Sequence, residues 1–137
     1  MQMTQEELTQ LMIDSAQNAI ETTKQEFGVI LDETEQSLSL VDDVILSWLG
    51  KYESQALEDN AVFTICNIYG AYVGELFRNK VGGFWKYDES DKSAPYVVLE
   101  YAGSTYAFAG ICYQRLVNDS QISVKNYFDH AVANNVQ

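Results

Sequence analysis

Few side chains in this sequence could do chemistry together. Glu75 and Arg78 interrupt an apolar stretch, NIYGAYVGELFRNKVGGFW, which ends in a double glycine and Trp85. Side chains three apart meet along one face of a helix, so the two can pair as ions. A guanidinium can also dock on an aromatic ring, on a strand carbonyl or on a ligand. The helix-edge ion pair is the favoured reading, docking on Trp85 or a hairpin carbonyl the second, and ligand recognition the third. The single histidine, His130, has Asp129 beside it. Adjacent helix residues do not face one another, so this is not an oriented base.

Other chemistries lack their parts. One histidine cannot build a two-histidine metal site. Cys66 and Cys112 lie in apolar surroundings. They read as buried free thiols rather than as a disulfide scaffold or a cysteine–histidine nucleophile. The acidic runs Asp32-Glu33-Glu35, Asp42-Asp43 and Asp88-Glu89-Asp91 do not follow the spaced pattern of an EF-hand loop. Gly82-Gly83 follows a helix instead of opening one, which makes it a poor phosphate cradle. Walker, Rossmann and G-x-S-x-G patterns are missing. The expectation is a non-enzymatic protein with no catalytic residue, no cofactor and no metal.

Charge says more. The 137 residues carry a net charge of −12. Residues 1–59 hold thirteen acids against two bases, Lys24 and Lys51, a balance of −11. Residues 60–137 hold seven acids and six bases, a balance of −1. Such a surface repels a phosphate backbone, which argues against nucleic acid. It attracts a protein partner with a basic face. The competing reading is that the carboxylates only solvate helix faces. Hydrophobic residues make up 47% and charged residues 20%, as in an ordinary globular protein with a core. The length suits a single domain over 1–137, with an acidic helical part at 1–57. The N-terminus lacks the basic and apolar regions of a signal peptide, and no apolar run reaches a membrane span. The expected location is the cytoplasm.

The elements follow from periodicity. Thr4-Gln5-Glu6-Glu7 is a capping box, and Gly28 is a natural stop. Between them Leu8, Leu11, Met12, Ser15, Ala16, Ala19, Ile20, Thr23 and Phe27 keep helical spacing, which predicts a helix over 5–27. Glu7, Asp14 and Glu21 recur a heptad apart on its opposite side and form a candidate acidic contact face. A second helix is expected over 35–50, with Leu38, Val41, Ile45, Trp48 and Leu49 inward and Asp42 and Asp43 outward. A third, apolar over much of its surface and therefore central, is expected over 58–81. The segments 84–88 and 96–101 read as a hairpin, and 104–109 as a possible third strand. Residues 111–117 read as a short helix. Asn118-Asp119-Ser120 signals a last helix over 121–134, with Asp119 or Ser120 as cap. Strands grouped together instead of alternating with helices give an α+β fold: three helices, a small antiparallel sheet, a final helix.

Gly70 and Gly74 stand on one face of the third helix, with Cys66 a turn before and Arg78 a turn after. A glycine inside a helix costs about 0.8–1.0 kcal/mol relative to alanine. Close approach by another helix or by the sheet would compensate. Asn67, Glu75 and Arg78 interrupt the run, so a membrane dimerisation face is not the reading.

The segment YGAYVGELFRNKVGGFW resembles the core signature of the DUF3806 domains, a family of small bacterial domains with a G-A-Y-x-G-E, an arginine, then G-G-x-W. The likeness continues through Arg115-Leu116, the polar turn NDS and the aromatic helix NYFD, and covers about residues 58–132. Residues 58–134 then form a family-like core, with the acidic helix outside it. Where the family pattern has a proline before the Arg-Leu segment, this chain has AFAG. The resemblance implies a signature that is structural or interacting: Tyr69, Gly70, Tyr72, Gly74, Glu75, Arg78, Trp85 and Arg115. It carries no catalytic assignment. Two functions are expected from all this. The first is protein–protein binding through the acidic helices; immunity proteins that neutralise basic toxins share this size and charge. The alternative is a small-ligand site with an aromatic pocket near Tyr69, Tyr72, Arg78 and Trp85.

Overall fold

A computed structural model describes residues 3–54, 59–88 and 96–135. Helix α1 spans Gln5–Phe27. Thr4 Oγ1 accepts from the Glu7 amide at 3.1 Å, and Glu7 Oε1 accepts from the Thr4 amide at 2.9 Å. At the other end Gly28 turns left-handed at φ 67°, and its amide donates to the Lys24 carbonyl. Leu8, Met12, Ala16, Ala19 and Thr23 are buried. Leu11, which spacing placed on this stripe, is 42% exposed. The helix packs on one principal neighbour, the central helix α3, so only the middle of the stripe is covered.

Helix α2 runs over Ser37–Glu53, later and longer than the expected 35–50. Its start is delayed by a turn in which Asp32 Oδ1 accepts from the Thr34 amide and hydroxyl. Gly50 lies inside the helix, where its carbonyl accepts from the Ser54 amide. Leu38, Val41, Val44, Ile45 and Trp48 face the core. Asp43 is exposed, but Asp42 is not: it is buried, against expectation. The reason lies in its partners, which come from the far end of the chain.

Helix α3, Asp59–Lys80, is the centre of the fold, with α1 on one flank. After Gly82 and Gly83, at φ 127° and 106°, the chain enters strand β1, Phe84–Asp88. It pairs antiparallel with β2, Tyr96–Tyr101, setting Trp85 opposite Leu99. Ala102 and Gly103, both at positive φ, turn the chain into β3, Ser104–Tyr106, which pairs with β2. Two consecutive left-handed residues are the tight turn that matches strand twist. The order is β1-β2-β3.

The third strand stops short of the expected 104–109, because helix α4, Phe108–Tyr113, has already begun. It continues as a wider π-helical turn over Gln114–Asn118. The helix expected over 111–117 is therefore present but earlier and in two forms. Helix α5 covers Val124–Asn135 rather than 121–134. The expected caps sit outside it: Asp119 Oδ1 closes a local turn onto the Gln121 amide. Phe77 anchors the aromatic core, with its ring centroid 5.1–6.3 Å from those of Tyr101, Tyr106, Phe108 and Phe128. Helices at both ends of a small three-stranded antiparallel sheet make this an α+β fold. Among the described residues no helix is long and apolar enough to cross a membrane.

Candidate functional site

Four of the candidate residues meet where α3 faces β1. Glu75 binds Arg78 through both oxygens, Nε to Oε2 at 2.8 Å and Nη2 to Oε1 at 3.0 Å. The Trp85 indole N–H donates to Glu75 Oε2 at 2.8 Å. The helix-edge ion pair is thus present, and the tryptophan joins it through the glutamate rather than through the arginine. Gly74 completes the group. A Cβ built there would stand 2.1 Å from Trp85 Cη2, so the bare helix backbone is the floor of the indole slot. Trp85 itself is 1% exposed. With its N–H bonded and its ring on glycine, it is fully engaged in holding β1 to α3.

Removing the indole N–H leaves one oxygen of a half-buried carboxylate short of a donor. Hydrogen bonds to charged groups contribute about 1.5–3 kcal/mol. Trp85→Phe is therefore expected to lower stability by about 2 kcal/mol, as read from urea unfolding at unchanged slope. A loss below about 0.5 kcal/mol would mean the bond contributes nothing.

Gly70 lies one turn earlier. A Cβ there would stand 2.5 Å from the Ala109 Cα and N, so α3 and α4 touch almost backbone to backbone. The two glycines therefore serve two different neighbours, a helix and the sheet.

Tyr69 and Tyr72 look elsewhere. The Tyr69 hydroxyl sits 2.7 Å from Thr23 Oγ1 and accepts from the Trp48 indole at 3.0 Å, tying α1, α2 and α3 together. The Tyr72 hydroxyl accepts from the Glu33 amide at 2.8 Å and lies 2.7 Å from Ser37 Oγ. Burial raises the pKa of both phenols. Their hydroxyls are engaged with α1, α2 and the link between them rather than with Glu75, Arg78 or Trp85.

Arg115 is a second centre, and its partner was hidden in the sequence. It is 7% exposed. Its Nε donates to the Asp42 carbonyl at 3.0 Å, and its Nη1 donates to the carbonyls of Ser120 and Ile122, each at 2.6 Å. Asp42 Oδ1 lies 3.3 Å from Arg115 Nε. The same carboxylate accepts from the Val124 amide at 2.7 Å, the Lys125 amide at 3.2 Å and Ser123 Oγ at 2.8 Å. Asp42 of α2 thus caps the start of α5, where free amides favour an anion. The Asn126 amide donates to Ser123 Oγ, which makes Ser123 the local cap. The signal that could have found this was Ser123 four residues before the aromatic pair Tyr127-Phe128.

Glu7, Asp14 and Glu21 are all exposed along α1, as their heptad spacing requires. Glu7 also has a structural role, since its bonds to Thr4 lower its pKa and close the capping box. The described ion pairs take other carboxylates of the acidic region. Glu26 lies 3.8 Å from Lys51, Glu35 2.9 Å from Lys80, and Asp42 pairs with Arg115. Both cysteines are buried and free. Burial pushes the Cys66 thiol up to about 12 and holds Cys112 well above its ordinary value. Among the described residues no group of three or more His, Cys, Asp or Glu could hold a metal ion. No protein-family model matches the chain, and neither a curated protein nor a solved structure matches it.

Proposed function

We propose that this protein acts without catalysis, by binding another protein through a basic face of that partner, as an immunity protein neutralises a basic toxin. The observation that supports this is the outer side of α1. Glu7, Asp14 and Glu21 stand exposed in a row, about 10.5 Å apart by the helical rise. No cation of the described residues pairs with any of the three, while Glu26, Glu35 and Asp42 each have one. The balance of −11 over residues 1–59 exceeds the magnitude of about 2–8 that keeps a small domain in solution. The same field repels nucleic acid. The proposed likeness to DUF3806 domains adds no activity to this reading.

The test is kinetic. A partner is captured by pull-down from the native cell, and association is timed at low and high salt. Asp14→Lys with Glu21→Lys is the variant of choice. Glu7 is left in place, because reversing it would break the capping box and confuse folding with binding. The double reversal is expected to slow association about tenfold or more at low salt and to change dissociation little. Its thermal unfolding should match the parent. An association rate indifferent to both salt and the reversals would leave the acidity as a solvating surface only.

A further inference from the structure

We infer that Cys66 and Cys112 form a modification site: a small-molecule disulfide of the oxidised-glutathione class converts the pair to an intramolecular disulfide that pins α4 to α3. Two contacts bracket the cysteines. Phe63 of α3 stacks on Tyr113 of α4, with ring centroids 5.4 Å apart. Further along, Gly70 abuts the backbone of Ala109. Cys66 lies between Phe63 and Gly70 at helical spacing, and Cys112 lies between Ala109 and Tyr113. The pairings 63 with 113 and 70 with 109 make the two helices antiparallel. Both buried cysteines therefore lie on the stretches of the two helices between the same two contacts. Each is buried, and burial first, then the neighbouring Cys66, raises the Cys112 pKa. A disulfide needs Cα atoms about 4.4–6.8 Å apart. Ordinary helix pairs sit about 8–10 Å apart at their axes, and a glycine against an alanine is what brings backbones closer.

The chemistry balances as an exchange. One cysteine, as thiolate, attacks a sulfur of the small disulfide; that S–S bond breaks, and one small thiol leaves with a proton. The second cysteine then attacks the mixed disulfide and releases the other small thiol. Two protein thiols are oxidised, and one small disulfide is reduced to two thiols. Folded packing opposes the first step, because both thiols are buried and held protonated. Opening of the short helix α4 and its π-helical extension admits the reagent. Closure afterwards brings the second thiol to the mixed disulfide.

The experiment exposes the full chain to excess oxidised glutathione at mildly alkaline pH, with and without sub-denaturing urea. After acid quench and unfolding, free thiols are alkylated and the mass is read. The expected product has lost two hydrogens and carries neither alkyl group nor glutathione. Its Cys66 and Cys112 peptides are joined, and it forms several-fold faster in urea. Its Tm lies above that of the reduced protein. Cys112→Ser should instead keep one glutathione on Cys66. Two alkylated thiols after the urea arm, two retained glutathiones, or cross-links only between molecules would each overturn the proposal.

Discussion

Gly74→Leu is expected to lower stability by about 3 kcal/mol, at the upper end of what overpacking a core costs. Even the first carbon of the new side chain would overlap the far edge of the Trp85 ring, at 2.1 Å. That ring cannot swing away easily, since its N–H is bonded to Glu75. Either β1 shifts off α3 or the indole leaves its slot. Gly70→Ala should also destabilise, because its obstacle is the backbone of Ala109, which cannot rotate aside. Helix propensity alone predicts the opposite sign, a gain of about 0.8–1.0 kcal/mol for glycine to alanine. Gly50→Ala separates the two effects. It lies inside α2 with nothing within 4 Å of a Cβ, so it should gain stability. Urea unfolding of the three variants checks this; a Gly74→Leu protein as stable as the parent would remove the slot from the account of the fold.

Asp42→Ala and Arg115→Ala are each expected to cost about 3–5 kcal/mol, the range for breaking a buried ion pair. Loss of Asp42 leaves the Arg115 guanidinium without its counter-ion and the Val124 and Lys125 amides without their acceptor. Loss of Arg115 leaves a buried carboxylate and frees the carbonyls of Ser120 and Ile122. The two losses concern one network, so the double variant should fall well short of their sum. Additive losses in a double-mutant cycle would show that the two residues act independently.

The legible parts of this fold are those whose cause is local. The capping box and Gly28 fix both ends of α1 within a few residues of chain, and α1 is found over Gln5–Phe27 as the sequence predicts. The hairpin strands 84–88 and 96–101 are readable from alternating aromatic and β-branched residues. The Glu75–Arg78 pair follows from helix spacing. Asp42 escapes a reading by pattern because its neighbour Asp43 does face water, and because its partners stand 73 to 83 residues away. A solvated acid and a capping acid look alike until α5 is placed beside α2. The start of α5 escapes for the same reason: Asp119 closes a local turn, while part of the true cap comes from another helix. The alternating pattern at 104–109 ends early because Phe108 is needed in the core against Phe77, which a strand and a helix could equally supply. The glycine spacing announces close contacts on α3, but only the fold shows that Gly70 serves α4 and Gly74 serves Trp85.

The first turn of α1 also reaches across to the sheet. Gln5 Nε2 donates to the Trp85 carbonyl at 2.7 Å, and β1 is an outer strand. Outer strands with open carbonyls and amides recruit strands from other molecules, which is how small sheets begin to aggregate. Here a side-chain amide takes one of those carbonyls within the short strand, and the body of α1 lies alongside. The capping box that holds this turn therefore guards the sheet as well as the helix. Fraying at Thr4 would bare a hydrogen-bonding edge, flanked by the exposed rings of Phe84 and Tyr87, to the next copy of the chain.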